Sequence, residues 1–183
     1  MALTRLGLNQ AVNLTSNVTG TLPVANGGTN LSSGFINGTT NVGKIAQVVQ
    51  TIKTPATNST SGSSFVSPSG ASVSITPSAT SSKVLVSVQG GGTVATDSAS
   101  GYFTIYRDST NLGDSTKGFQ RQYNDERTDQ PLSMQYLDSP NTTSATTYQV
   151  YYRANHNTIY MHDSDSGNLI ITAMEVLAWV ILF

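Results

Sequence analysis

The chain contains no cysteine in its 183 residues. That excludes a disulfide scaffold, a thiolate zinc site and a cysteine nucleophile. Charge is almost as scarce. Asp, Glu, Lys and Arg make up 10% of the residues, against ~25% in an ordinary soluble domain, and the net charge is −1. No basic footprint exists for nucleic acid. Nor is there the high net charge that holds a disordered tail open. A long apolar run is also lacking. The most apolar stretch, Leu169–Phe183 (LIITAMEVLAWVILF), is 15 residues long and contains Glu175. A membrane helix needs about 20 apolar residues, so the stretch reads as a buried terminal strand. The start, MALTRLGLNQ, has no basic segment followed by an apolar run, so no secretory signal peptide is expected.

What the chain has instead is neutral polarity: 49 Ser and Thr, and 14 Asn. Charge is also unevenly placed. Residues 1–96 hold no Asp or Glu; all ten acidic residues lie from Asp97 onward. Residues 1–43 carry one charge, Arg5, and thinly spaced apolar residues, among them Leu3, Leu6, Leu8, Val12 and Leu14. Such a segment cannot bury enough apolar surface by itself to offset its ordering entropy. It is expected to be an arm that orders only against partner chains, with those five apolar residues as its anchoring contacts.

From Lys44 onward the pattern changes to period-2 alternation, the signature of a half-buried strand. Eight strands are expected: Lys44–Lys53, Ala71–Thr76, Lys83–Gln89, Gly101–Arg107, Leu132–Leu137, Thr147–Arg153, Thr158–His162 and Leu169–Val176. Lys83–Gln89 puts Val84, Val86 and Val88 on one face. Gly101–Arg107 puts Phe103 and Ile105 on one face and Tyr102 and Tyr106 on the other. Clusters rich in Gly, Pro, Ser, Thr and Asn separate the strands: Thr54–Ser64, Pro77–Ser82, Gly90–Ser100 and Asp138–Ala145. The run Gly90–Gly92 reads as a flexible turn. No segment carries an i, i+3, i+4 apolar stripe. Short, regularly spaced strands without helices indicate an antiparallel sandwich or barrel, and eight of them favour a jelly roll.

Few side chains here do chemistry. His156 and His162 lie near Asp163 and Asp165 in HDSDSGN, which has the opening of a calcium loop but not its full ligand set. A polar hairpin loop is the expected identity, and no metal or cofactor is expected. Asp125, Glu126 and Asp129 are interleaved with Arg121 and Arg127, as in a solvated loop. There is no G-x-S-x-G elbow and no phosphate-binding GxxxxGK[ST] pattern. Tyr148, Tyr151, Tyr152 and Tyr160 gather near the C-terminal strands, where a ring either packs a sheet face or stacks on a ligand.

Two stretches carry a resemblance. Asn13–Asn30, NLTSNVTGTLPVANGGTN, resembles a motif recurrent in bacteriophage tail fibres and related virion appendages, whose familiar form is TGTLPVANGGTG; Asn30 stands where the last Gly is usual. GKIAQVVQTIKT, SVSITPSATSSKVLV, GYFTIYRDST, LDSPNTTSATTYQVYYRAN and ITAMEV are similar to a C-terminal domain of marine phage fibre proteins. The resemblance implies a trimeric jelly-roll head, like that of TNF and C1q, on an extended stem. It implies attachment to other phage structural proteins through residues 1–43, with Met1–Gln10 in the place of the family's separate virion-binding domain. Such domains often stop near ITAMEV, whereas this chain continues as LAWVILF, which is expected to be buried in the trimer or against a virion partner.

The expectation is therefore a non-enzymatic virion protein with a homotrimeric antiparallel jelly-roll β-sandwich over residues 44–183 and an arm over 1–43. Its head would contact a host-surface glycan or protein, with no nucleic acid bound and no membrane insertion. The segments Gly90–Ser100, Asp114–Gln130 and Asn155–Gly167 are expected to be the recognition loops. Tyr123, Asn124 and Arg127 are the candidate receptor contacts, combining a ring, an amide and a planar donor fork. A capsid decoration, cement or head-fibre protein is the alternative on the same fold. A polysaccharide depolymerase, using Asp125 and Glu126 or Asp163 and Asp165, is the remote one.

Overall fold

Alternation of apolar and polar residues builds nearly every strand. In Thr146–Ala154, the residues Thr146, Tyr148, Val150, Tyr152 and Ala154 are buried and those between are half-buried. The protein is described by a computed structural model covering residues 45–94, 98–124, 128–162 and 167–177, with the backbone only at 92–94, 124 and 128–129. All of them belong to one compact unit, Gly43–Phe183. The arm residues Leu3, Leu6, Leu8, Val12 and Leu14 lie outside the described residues, as do Ala178–Phe183.

Eleven strands occur among the described residues: β1 Ile45–Lys53, β2 Asn58–Thr60, β3 Ser72–Ile75, β4 Lys83–Val94, β5 Ala99–Arg107, β6 Thr110–Asn111, β7 Gln120–Asn124, β8 Thr128–Asp138, β9 Thr146–Ala154, β10 Ile159–Met161 and β11 Leu169–Val176. All pairings between them are antiparallel. The first sheet runs β1-β11-β4-β10-β2, and β8 pairs the other edge of β4. The second runs β3-β9-β5-β6, with β7 also on β5. The protein is thus an all-β, antiparallel two-sheet structure.

The core lies between the sheets. Val84, Val86 and Val88 of β4 are fully buried, as are Phe103 and Ile105 of β5, which is the face assignment that alternation implies. Ile159, Met161, Leu169, Ile171 and Ala173 close it from β10 and β11. Each large apolar side chain buried this way contributes about 1.5–3 kcal/mol.

Two polar clusters tie the layers. Asp138, at the end of β8 in the first sheet, faces Arg107 and Tyr148 of the second. Arg107 Nη1 donates to both Asp138 oxygens at 2.9 Å, and Tyr148 Oη donates to Oδ2 at 2.6 Å. Burial first, then this bond to the carboxylate, pushes the Tyr148 hydroxyl pKa far up, so it stays a proton donor. Glu175 of β11 is fully buried. It accepts from Ser78 N at 2.7 Å, Ser78 Oγ at 2.6 Å and Gln47 Nε2 at 2.7 Å. Burial pushes its pKa up, but these donors and the nearby Ser82 hydroxyl outweigh burial and hold the pKa down at about 2.

Several expected turns and loops are strands. Gly90–Gly92 is not a turn: it continues β4, with Gly90, Gly91 and Gly92 opposite Leu132, Pro131 and Gln130. The glycine at position 90 is needed there because a Cβ would meet Asn168 O at 2.4 Å and Leu169 Cα at 2.7 Å, at φ +147°. The Thr54–Ser64 cluster holds β2, and the Asp114–Gln130 segment holds β7 and the start of β8. The Asn155–Gly167 segment holds β10. The described parts of Gly90–Ser100 and Asp114–Gln130 are therefore largely paired backbone, whereas in Asn155–Gly167 the paired residues are Ile159–Met161.

Candidate functional site

The outer face of the second sheet gathers rings and cations. Since Phe103, Ile105, Tyr148, Val150 and Tyr152 turn inward, alternation turns Tyr102, Tyr106, Tyr151 and Arg153 outward. Register then sets the neighbours. Tyr102 of β5 is opposite Arg153 of β9 on one side and Arg121 of β7 on the other.

Arg153 is held rather than free. Its guanidinium lies 4.4 Å from the Tyr102 ring centroid and 5.6 Å from that of Phe65. Its Nε donates to Thr116 O at 2.6 Å, Nη2 reaches the same carbonyl, and Nη1 donates to Ser63 O at 3.4 Å. Tyr102 beneath it is only 8% exposed. Tyr106 and Tyr151 stack at 3.9 Å, and Phe65 meets Tyr106 edge-on at 6.3 Å. Burial, and then the neighbouring Tyr151, raise the Tyr106 pKa, so it stays neutral. These groups satisfy one another and make a stiff platform.

The open end of the platform is β7. Arg121 is exposed, and its Nη2 donates to Ser100 Oγ at 3.0 Å. Its guanidinium sits 5.3 Å from the Tyr123 ring centroid, and Tyr123 is 45% exposed. Beneath them Gln122 is buried and donates to Gln130 O at 3.3 Å and Pro131 O at 3.2 Å, which fixes β7 against β8. An exposed ring beside a planar donor fork on a fixed strand can stack on a sugar or a peptide side chain and donate hydrogen bonds to it.

Of the three expected receptor contacts, Tyr123 therefore lies on a strand with Arg121 as its neighbour. Asn124 pairs through its backbone with Ala99, and its side chain lies outside the description. Arg127 lies outside the described residues, with Asp125 and Glu126; of Asp129 only the backbone is described, opposite Thr93. Tyr148 and Tyr152 are core residues, and Tyr151 is the outward one. The sequence gives no sign that Arg121, Arg153, Tyr102 and Phe65 come together, because their association depends on register between distant strands.

Neither histidine joins this face. His156 is exposed, with its Nδ1 3.2 Å from Asn155 Nδ2. His162 is fully buried, its Nε2 2.8 Å from Gly167 O, so Nε2 carries the proton. Burial lowers its pKa and keeps it neutral. Asp163 and Asp165 lie outside the described residues, and no three His, Asp or Glu among the described residues form a metal-holding group.

No family model and no curated protein matches the chain. Solved structures similar to it include that of infectious bursal disease virus Gt strain, at TM-score 0.38 and 12% identity, covering 76% of this chain and 39% of that one. The VP2 subviral particle of infectious bursal disease virus follows at TM-score 0.36 and 12% identity, over 74% and 38%. The chain thus spans about two fifths of the length of these structures.

Proposed function

We propose that this protein is a non-enzymatic virion component: a trimeric phage fibre with a jelly-roll head. In this reading residues 1–43 anchor the head to other phage structural proteins, and the head meets the host surface. The observation that carries the reading is the place of the most specific head motif. LDSPNTTSATTY begins beside Asp138 and ends at Tyr148, the two residues whose 2.6 Å bond joins the sheets. The sequence that resembles phage fibre heads is thus the sequence that clamps this fold.

Strand order supports the jelly roll. Leaving aside the short β2, β6 and β10, the sheets run β1-β11-β4-β8 and β3-β9-β5-β7. Successive strands then cross between sheets at every step but β5 to β7, as two interleaved Greek keys require. The host-facing surface in this reading is the β7 end of the aromatic platform.

A binding assay tests it. The purified full chain is expected to bind cells of the phage's host and not assembled capsids lacking it. Tyr123→Ala together with Arg121→Ala is expected to lower cell binding at least about tenfold, while stability changes by no more than about 0.5 kcal/mol, as for exposed side chains. Binding to capsids in place of cells would make the protein a decoration protein. Unchanged cell binding by the double variant would remove the platform from the account.

A further inference from the structure

The outer face of the first sheet is apolar in a registered way. Val48 of β1 is opposite Met174 of β11, Met174 is opposite Leu85 of β4, and Leu85 is opposite Leu137 of β8. One apolar row thus crosses four strands. Ile45 and Val176 pair on one side of it, and Ile52 and Ile170 pair four positions further along on the other. Val48 and Ile52 are each 54% exposed, Ile45 51% and Leu137 46%. Within these rows the single charged residue is Lys83, at a corner opposite Val176.

We propose that this face is the surface through which copies of this chain assemble. The proposal rests on the oligomeric reading above and adds to it the face and the residues. The chemistry favours a second copy over a foreign partner. Between the apolar rows runs Gln50–Thr172–Ser87–Gln135, in which Gln50 Nε2 donates to Thr172 Oγ1 at 3.0 Å. Amides and hydroxyls both donate and accept, so such a row can pair with its own copy. A charged row could not, because residues near a symmetry axis meet themselves.

The remaining described surface offers no other match. Outside this face the large exposed apolar residues are Val66, Phe119 and Tyr123, and none belongs to a row. Among the described residues, the apolar area fit to cover this face is the same face of another copy. From Leu177, at the Val176 end of the face, the chain runs on into the apolar sequence AWVILF.

The absence of cysteine allows a direct test. Val48→Cys, Leu137→Cys and, on the exposed outer side of the second sheet, Ser74→Cys each give the full-length chain a single thiol. The wild type is expected to have the mass of three chains by light scattering. Its Val48→Cys and Leu137→Cys forms should react with a thiol reagent roughly tenfold or more slower than Ser74→Cys. Val48→Glu with Leu137→Glu should give single chains with an unchanged circular dichroism spectrum. If that variant does not fold, the thiol rates still decide. An oligomeric wild type whose Val48→Cys and Leu137→Cys thiols react as fast as Ser74→Cys would overturn the proposal and leave the oligomeric reading standing. A single-chain wild type would overturn both; slow thiols in that monomer would mean that the chain covers its own face.

Discussion

Replacing Tyr148 by Phe removes one oxygen from the junction between the sheets and leaves the ring in the core. The lost bond is 2.6 Å long and ends on Asp138, whose side chain is 5% exposed. A hydrogen bond to a charged group contributes about 1.5–3 kcal/mol, and water cannot replace it at a site this closed. Arg107 still donates to both Asp138 oxygens, so the carboxylate keeps its charge partner and the loss should not exceed that range. Tyr148→Phe is therefore expected to cost about 1.5–3 kcal/mol, or roughly 3–12 °C in Tm for a domain of this size. Asp138→Ala should cost more, since it strips both partners at once, although Arg107, with its side chain 26% exposed, regains some water. The assay is urea unfolding at one fixed protein concentration, because the stability of the proposed oligomer would depend on concentration. A loss below about 0.5 kcal/mol for Tyr148→Phe would refute the clamp, and with it the structural meaning given to the LDSP…TTY motif.

Three further outcomes are expected. Glu175 has a folded pKa of about 2, below its ordinary 4.5, so its stabilisation is complete above the unfolded value and is lost as pH falls from about 4.5 towards 2. Glu175→Gln should lower Tm at pH 7, and the gap from wild type should narrow across that window; a gap independent of pH would contradict the assignment. Gly90→Ala should cost well over ~1 kcal/mol because its methyl would strike backbone, whereas Gly70→Ala, at φ +77° with open space around it, should cost only about 1 kcal/mol. Equal Tm losses for the two would remove the close approach of β4 to Asn168. Arg153→Ala should expose the Tyr102 and Phe65 rings and raise Tyr fluorescence quenching by a small neutral quencher; no change would mean Arg153 does not cover them.

Where side-chain alternation was apolar, the strands were legible. Val84, Val86 and Val88, Phe103 and Ile105, and Leu169 and Ile171 announce their inward faces, and all are buried. Strand β7 was not legible, because its inward residue is Gln122, whose Nε2 donates to carbonyls of β8 where an apolar side chain would pack. Gly90–Gly92 misled for the converse reason: glycine is usually a turn residue, but here it admits the chain at Asn168 and Leu169. The Arg121–Tyr102–Arg153 row, and the Val48–Met174–Leu85–Leu137 row on the other sheet, arise from pairing between strands far apart in sequence. No local pattern encodes such a register. Tyr123 was legible as an exposed ring in a polar setting, yet its partner on the strand is Arg121.

The most direct test of the proposed role is immunogold electron microscopy of virions of the phage proposed to carry the chain, with antibody raised against residues 44–183. Gold is expected at the tail or neck, at the ends of projections. Gold spread over the capsid surface would contradict the fibre and make the protein a decoration of the shell, and particles without gold would contradict a virion role altogether.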